Sequence, residues 1–365
     1  MSFMNNSLSI SALLRIRSIK SFAQTFLLDT RAGQKLFLYN DEIPRVINIS
    51  FNEKTCMFSC RMCPFAEDEV RSHYKNKSEM NFETLKKLID SVPNDPFFSF
   101  DMSSIGETLE FEPLSEFIKY MKKTKPLVNT IISTNGVLIN PDKFNALADS
   151  GLDNIQFSLY AENASDHAHI TQTKNFDRVK ENVLSVCNER KRRNLTKPFL
   201  QAFMIECKEN SHTSQRFLDF WGDHVDKAFL RPIYNLGREI EGMTPNFPKV
   251  DKGERYPCIM PWYSTAVRSN GDVLPCYMFH WSSEGWDHAV GNINDASLKE
   301  IWASDEYQKF RSCHRRLELD GYPICQRCDL WSAYTNVWKR QGAEYVYDPV
   351  QVIDFLTPAG EYRGG

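Results

Sequence analysis

The feature that most narrows what this chain can be is a loop with three cysteines, Cys56, Cys60 and Cys63, in the spacing C-x3-C-x2-C. It follows directly on Val46-Ile47-Asn48-Ile49-Ser50-Phe51, an apolar run that reads as a buried parallel strand. Three thiolates converging on one loop suit an iron–sulfur cluster, because soft sulfur ligands select for it. A four-iron cube needs four outer ligands and the loop offers three, so one iron keeps an open position. An open metal site can bind a second molecule and pass it an electron. Taken alone, the spacing also admits a zinc loop or three unrelated thiols.

The stretch Thr55 to Pro64 resembles the cluster loop of the radical S-adenosylmethionine (radical SAM) superfamily. The resemblance implies a 4Fe–4S cluster on Cys56, Cys60 and Cys63 whose unique iron chelates the methionine amine and carboxylate of S-adenosylmethionine. It further implies reductive cleavage to a 5'-deoxyadenosyl radical that abstracts hydrogen from a substrate, with an electron donor such as flavodoxin or ferredoxin. The position before the third cysteine is usually aromatic in the family. Here it is Met62, which is expected to lie on the adenine more loosely.

The rest of the chain alternates. After the cysteine loop come a helix from Met80 to Ile89, a strand at 96–102, a helix at 114–121 and a strand at 128–134. A helix at 141–148, a strand at 154–160, a helix at 176–188, a strand at 199–205, a helix at 212–221 and a strand at 227–231 complete the run. Six strands alternating with helices imply right-handed crossovers and a parallel sheet, an α/β fold. Six rather than eight strands suggest an open, partial (β/α)6 barrel of the TIM type. In such folds function sits at the carboxyl ends of strands, and the polar motifs fall there. The resemblance gives them roles: Gly106 and Glu107 look like the motif that receives the SAM amino group, and Ser133, Asn135 and Ser158 look like contacts to its ribose or methionine part. Arg231, at the sixth strand end, is expected either to meet the SAM carboxylate or a substrate anion, or to form a surface ion pair. The resemblance extends over roughly residues 45–240.

From about residue 241 the texture changes. Pro245, Pro248 and Pro257 punctuate a linker, which suggests a domain boundary. Cys258, Cys276, Cys313, Cys325 and Cys328 follow, with Asn270-Gly271 as a hairpin turn between the first two and a helix from Ser297 to about Phe310. Four thiolates could close either zinc or a 4Fe–4S cluster, and chemistry alone leaves that choice open. Cys-x12-Gly-x4-Cys, a helix and then Cys-x2-Cys look like the auxiliary-cluster domains called SPASM and twitch, and the spacing is similar to that of aminocyclitol dehydrogenases of the superfamily. No cysteine follows Cys328, which argues for a single auxiliary cluster of the shortened type. By analogy its ligands are Cys258, Cys276, Cys325 and Cys328, in a small C-terminal α+β domain. Cys313 and Cys207 are then candidate hydrogen donors, as in radical epimerases, against the plainer reading of buried structural thiols. Cys187, on a helix, reads as core.

The expected organisation is an N-terminal extension at 1–44, the partial barrel at 45–240, the auxiliary domain at 241–345 and a tail at 346–365. Residues 7–28 read as an amphipathic basic helix packed on the barrel's outside; the charges inside its apolar run are wrong for a signal peptide. Composition excludes several classes. A net charge of −3 implies no nucleic-acid partner, and no run of 18 apolar residues exists for a membrane span. Ten cysteines without an export signal point to a reducing, cytoplasmic setting in which clustered thiols bind metal. The expected reaction is dehydrogenation or epimerisation of a sugar-like small molecule, an aminocyclitol or a nucleoside-linked sugar. A peptide maturase is the alternative, disfavoured because the 44 residues before the first strand are fewer than the ~80 of a peptide-recognition domain. A non-catalytic zinc protein is the alternative of a different class.

Overall fold

The structure, a computed structural model, describes residues 42–53, 56–75, 79–103, 105–235, 240–244, 255–281 and 283–347. The expected N-terminal helix, Pro245 and Pro248 of the linker, and the tail beyond residue 347 lie outside these. Glu42–Ser332 form one compact unit. The other unit contributes, among its described residues, an antiparallel pair in which Trp338 faces Tyr347 and Gln341 faces Glu344.

Within Glu42–Ser332 the expected alternation is present. Strands β1 (Val46–Ile49), β2 (Ser99–Asp101), β3 (Asn129–Thr134), β4 (Asn154–Ser158), β5 (Phe199–Glu206) and β6 (Lys227–Pro232) lie side by side in sequence order, each parallel to its neighbour. The partial-barrel reading therefore holds. Between the strands run α1 (Asp68–Tyr74), α2 (Phe82–Asp90), α3 (Leu114–Thr124), α4 (Pro141–Asp149), α5 (Ala164–Thr171), α6 (Phe176–Arg192) and α7 (Ser214–Gly222). The sequence reading missed α1 and α5. Both are short, at 7 and 8 residues, and α5 carries three buried residues that make no continuous apolar stripe. α2 and α4 start at asparagine caps: Asn81 accepts from the Thr84 N–H at 2.9 Å, and Asn140 from the Lys143 N–H at 2.8 Å.

The strands alternate in burial because successive side chains point to opposite faces. Ile47, Ile49, Phe100, Ile132, Ile155, Phe157 and Leu200 turn outward under the helices and are buried. Their alternates Asn48, Asp101, Ser133 and Gln156 turn inward, half-buried and polar. The sheet thus carries an apolar outer face for packing and a polar inner face for chemistry.

The expected boundary at residue 241 is not a break in the sheet. Beyond β6 the chain returns to β7 (Ser264–Val267), which pairs in parallel with β1, Val46 facing Ser264 and Ile49 facing Val267. β8 (Asp272–Leu274) and β9 (Gly291–Asn292) continue the sheet antiparallel, giving the order β6-β5-β4-β3-β2-β1-β7-β8-β9. The physical reason is the free edge of β1, whose unpaired N–H and C=O groups need a partner. The predicted hairpin joins β7 to β8, with the Arg268 N–H donating to the Asp272 carbonyl at 2.9 Å. The helix expected at 297–310 is two helices, α8 (Leu298–Ala303) and α9 (Asp305–Arg316). Ser304 leaves the first with ψ near 156° and caps the second. A short helix, α10 (Pro323–Arg327), carries Cys325.

Candidate functional site

A cavity of about 570 Å³ opens at the carboxyl ends of the strands, a size suited to a drug-sized ligand. Cys56, Cys60 and Cys63 line it together with Gly106, Glu107, Ser133, Asn135, Ser158 and Arg231. Signals spread along the sequence from Cys56 to Arg231 are thus gathered in one place.

The cysteine loop is held in shape by its surroundings. The Cys63 N–H donates to the Cys60 carbonyl at 2.8 Å. The Ser59 and Arg61 N–H groups donate to the Thr171 and Ile170 carbonyls at the end of α5, at 3.2 and 2.9 Å. Arg71 on α1 donates to the Phe58 carbonyl and to the Ser59 hydroxyl at 3.0 and 2.7 Å. The two helices missed in the sequence are therefore the ones that brace the loop. Burial pushes the Cys56 thiol up to about 12, and Glu107 and Cys63 add to the rise. Burial also raises Cys60 well above the ordinary thiol range, helped by charges on Cys63 and Cys56. Three crowded thiols that repel one another's charge are a donor set that a cation would hold together.

Asn135 and Glu107 form the next layer. The Asn135 side-chain amide donates to Cys56 Sγ at 3.8 Å. Its backbone N–H donates to the Glu107 carboxylate at 2.9 Å, and the Thr134 hydroxyl and Leu109 N–H donate to the same carboxylate at 2.6 and 3.1 Å. Burial raises the Glu107 carboxyl above its usual range, opposed by these donors. Gly106 has φ near +83° and Gly136 near +80°, so both turns need residues without a Cβ. At Gly136 a Cβ would also press on Val179 and Val183 at 3.2 Å.

Arg231 stands in the cavity wall. Its guanidinium donates to Gln156 Oε1 at 3.0 Å and lies over the Phe203 ring at 4.1 Å, inside the cavity. Met62 departs from expectation: it packs into the core and is not on the cavity wall. The aromatic surfaces of the wall come from Phe58, Phe65, Tyr160, Phe203, Tyr263, Tyr277 and Trp281. Sequence reading also missed Asp101, which accepts the Ser103 N–H at 3.0 Å, and Tyr277, whose hydroxyl donates to the Ser103 carbonyl at 3.2 Å. Asp101 is legible in retrospect as a polar alternate at the end of a strand whose other face is core. Tyr160 carries φ near +61°, costly for a non-glycine residue, and had no sequence signal.

Neither candidate hydrogen donor lines the cavity. Cys207 is fully buried, its N–H donating to Asn210 Oδ1 at 2.9 Å and its thiol to the same oxygen at 3.5 Å. Burial pushes that thiol up to about 11. Asn210 also donates to the Tyr160 and Ile205 carbonyls at 3.2 and 2.9 Å, so Cys207 belongs to a turn that holds the ends of β4 and β5. Cys313, on α9, is half-buried and outside the walls of both cavities described here. Cys187 is buried in the core, as expected.

Cys258, Cys276, Cys325 and Cys328 line a second, smaller cavity with Arg255, Met260, Met278 and His314. Burial raises Cys258 and Cys325 well above the thiol range, and each also feels Cys276 and Cys328. Cys276 and Cys328 are raised by burial to about 11 and about 12. Among the described residues no three His, Cys, Asp or Glu side chains close around a single-ion position. The donor sets, three thiols with an open side and four thiols enclosed, fit 4Fe–4S clusters in both cavities. Cys276, Met260, Met278 and Leu330 stand in the walls of both cavities, so the two share a partition.

Comparison with known proteins agrees with this division of the cysteines. Residues 54–196 match the Radical SAM superfamily, and residues 258–329 match SPASM, an iron–sulfur cluster-binding domain. The chain is 22% identical over 320 residues to the tungsten-containing aldehyde ferredoxin oxidoreductase cofactor-modifying protein of Pyrococcus furiosus, covering 76% of this chain and 85% of that one. It is 21% identical over 299 residues to the S-adenosyl-L-methionine-dependent 2-deoxy-scyllo-inosamine dehydrogenase of Niallia circulans, covering 81% and 97%. Among solved structures, BtrN in complex with AdoMet and 2-DOIA superposes with a TM-score of 0.53 at 18% identity, over 79% of this chain and 93% of that one. Streptococcus suis SuiB bound to precursor peptide SuiA gives 0.59 at 15% identity, over 85% and 76%. These likenesses show the fold.

Proposed function

From a chain that carries a radical SAM domain followed by a SPASM iron–sulfur domain, and is therefore a radical SAM enzyme, we propose an oxidoreductase that removes hydrogen from a polar, sugar-like small molecule. Cys56, Cys60 and Cys63 hold the first 4Fe–4S cluster, and Cys258, Cys276, Cys325 and Cys328 the second. Once bound, the first supplies the electron that cleaves S-adenosylmethionine to a hydrogen-abstracting 5'-deoxyadenosyl radical, and the second an acceptor for the electron an oxidised substrate gives up.

The observation that carries this reading is the shared partition. Cys276 faces the cavity of the cysteine loop and the cavity of the other three thiols. A substrate radical formed in the larger cavity would therefore lie beside a thiolate of the second cluster. The side chains around it suit a polyol or amino-polyol. Asp101, Asn48, Ser133 and Arg231 offer hydrogen-bonding groups on the inner face of the sheet. Phe203 and Tyr277 offer flat apolar surface against ring carbons. Gly106, Glu107, Asn135 and Ser158 are left for the SAM side, next to Cys56. Among the described lining residues the only thiols are those assigned to clusters, which favours oxidation over epimerisation, since the latter needs a thiol to return hydrogen. The dehydrogenase named among the relatives supports the same class of substrate. A low-potential carrier such as flavodoxin or ferredoxin would deliver the electron. Ten cysteines outside any disulfide, seven of them assigned to two oxygen-sensitive clusters, suit the reducing cytoplasm.

The test is anaerobic reconstitution followed by turnover with dithionite against aminocyclitols, sugars, nucleoside-linked sugars and short peptides. The expected result is about eight irons per chain, formation of 5'-deoxyadenosine, and deuterium transfer into it from a labelled polyol. Label transfer from peptides alone would replace this reading with that of a peptide maturase. Zinc without iron would end the enzymatic reading.

A further inference from the structure

Two buried histidines keep both ring nitrogens without a hydrogen-bond partner among the described residues, His280 and His314. Buried polar atoms are nearly always paired, so each orphan asks for a group that the protein atoms do not provide. The two sites differ. His280 is fully buried and lines neither cavity. His314 is 2% exposed and stands in the wall of the second cavity, among Cys258, Cys276, Cys325 and Cys328. α9 fixes it there, and the ring of Phe310, 4.7 Å away and edge-on, holds the imidazole from one turn earlier.

Arg255 lines the same cavity. Its guanidinium is anchored by donating to the Gln326 carbonyl at 2.6 Å and to the Cys325 carbonyl, yet its Nε–H is buried without a partner. The chamber that holds four sulfurs therefore also presents unsatisfied nitrogens from two side chains. An imidazole carries an N–H in either protonation state, and sulfur carrying negative charge is an acceptor within the same small space.

We infer that His314 is a positioning residue for the auxiliary cluster: it donates a ring N–H to a sulfur of the cluster bound by Cys258, Cys276, Cys325 and Cys328, and so raises its reduction potential. Reduction adds negative charge to the cluster, and a donor on its sulfur stabilises the reduced form more than the oxidised one. Removing the donor makes the cluster a poorer electron acceptor for the substrate radical. Arg255 contributes in the same direction. The inference rests on the assignment of these four thiols as ligands.

The experiment isolates the auxiliary cluster in the full chain carrying Cys56→Ala, Cys60→Ala and Cys63→Ala, reconstituted anaerobically. Iron content comes first: a chain with no iron overturns the ligand assignment, separately from any role of His314. With the cluster present, EPR-monitored potentiometric titration compares His314 with His314→Phe, which keeps the bulk, and His314→Gln, which keeps an N–H. The expected result is a lower midpoint potential in His314→Phe, partly restored in His314→Gln. Protein labelled with 15N-histidine should show a weak nitrogen coupling to the reduced cluster that disappears in His314→Phe and persists in His280→Phe. An unchanged potential, or no coupling in the labelled parent, overturns the inference. A strong coupling typical of direct iron ligation also overturns it, making His314 a ligand. Loss of iron from His314→Phe with no coupling in the parent assigns the residue to packing alone.

Discussion

Asn135 joins three functions in one side chain and its own peptide group. Its amide donates to Cys56 Sγ, its oxygen accepts the Val137 N–H at 3.0 Å to shape the turn, and its backbone N–H binds Glu107. Groups that hydrogen-bond a metal ligand typically matter by about 10–100-fold in metal affinity or activity. Asn135→Ala should lower SAM cleavage or iron retention in the first site by about that factor, measured as 5'-deoxyadenosine formed per loaded cluster. Cys276→Ala addresses the second site. Iron should fall from about eight to about four per chain, SAM cleavage should persist, and oxidised product should be lost. Retention of product formation would sink the role proposed for the shared partition.

At the scale of elements, the sheet is pinned by buried polar residues at strand ends. Asp153, just before β4, accepts from Lys122 Nζ at 2.6 Å and from the Thr130 N–H and hydroxyl at 3.1 and 3.0 Å, and it also pairs with Lys197. Burial alone would raise its carboxyl, but the charges and hydrogen bonds of Lys122 and Lys197 more than offset this and hold it below the usual range. Asp153→Asn removes the charge while leaving Lys122 largely buried, and should cost about 3 kcal/mol in chemical unfolding. Because the folded pKa is the lower one, the contribution is fully present above the unfolded value near 3.9 and is lost as pH falls through the folded value. The stability gap between parent and variant should therefore be flat from about pH 5 to 8 and close in stronger acid. Asn210 does similar work at the ends of β4 and β5. Asn210→Ala leaves the Tyr160 carbonyl and the Cys207 N–H without their partner, and should destabilise by about 1–3 kcal/mol, seen as an earlier unfolding midpoint.

At the scale of the whole molecule, the sheet disregards the division suggested by the cysteines. β7 is buried along its length and pairs with β1 in the interior of the sheet, with two further strands beyond it among the described residues. A fragment ending at residue 244 should expose the edge of β1 and aggregate in size-exclusion chromatography, and residues 255–332 alone should show no cooperative unfolding. Two fragments that each fold would restore the boundary expected near residue 241. The alternation of strands and helices was legible because each strand is apolar on one side and each longer helix has an apolar stripe. α1 and α5 were not, because each is short and buries only two or three residues, too few to make an apolar stripe. Breaks such as Ser304 depend on a single residue's backbone angles, to which periodicity is blind.

The sequence by itself determined the two cysteine groups, the six-strand alternation and the placing of polar residues at strand ends, since spacing and period are local properties of a chain. Only the tertiary structure decided that Met62 packs inward while Phe58 and Tyr277 face the cavity, that Cys207 and Cys313 stand away from it, and that Cys276 is common to two walls. Those facts depend on which face of an element meets which neighbour, and that is set by the packing of residues far apart in the chain.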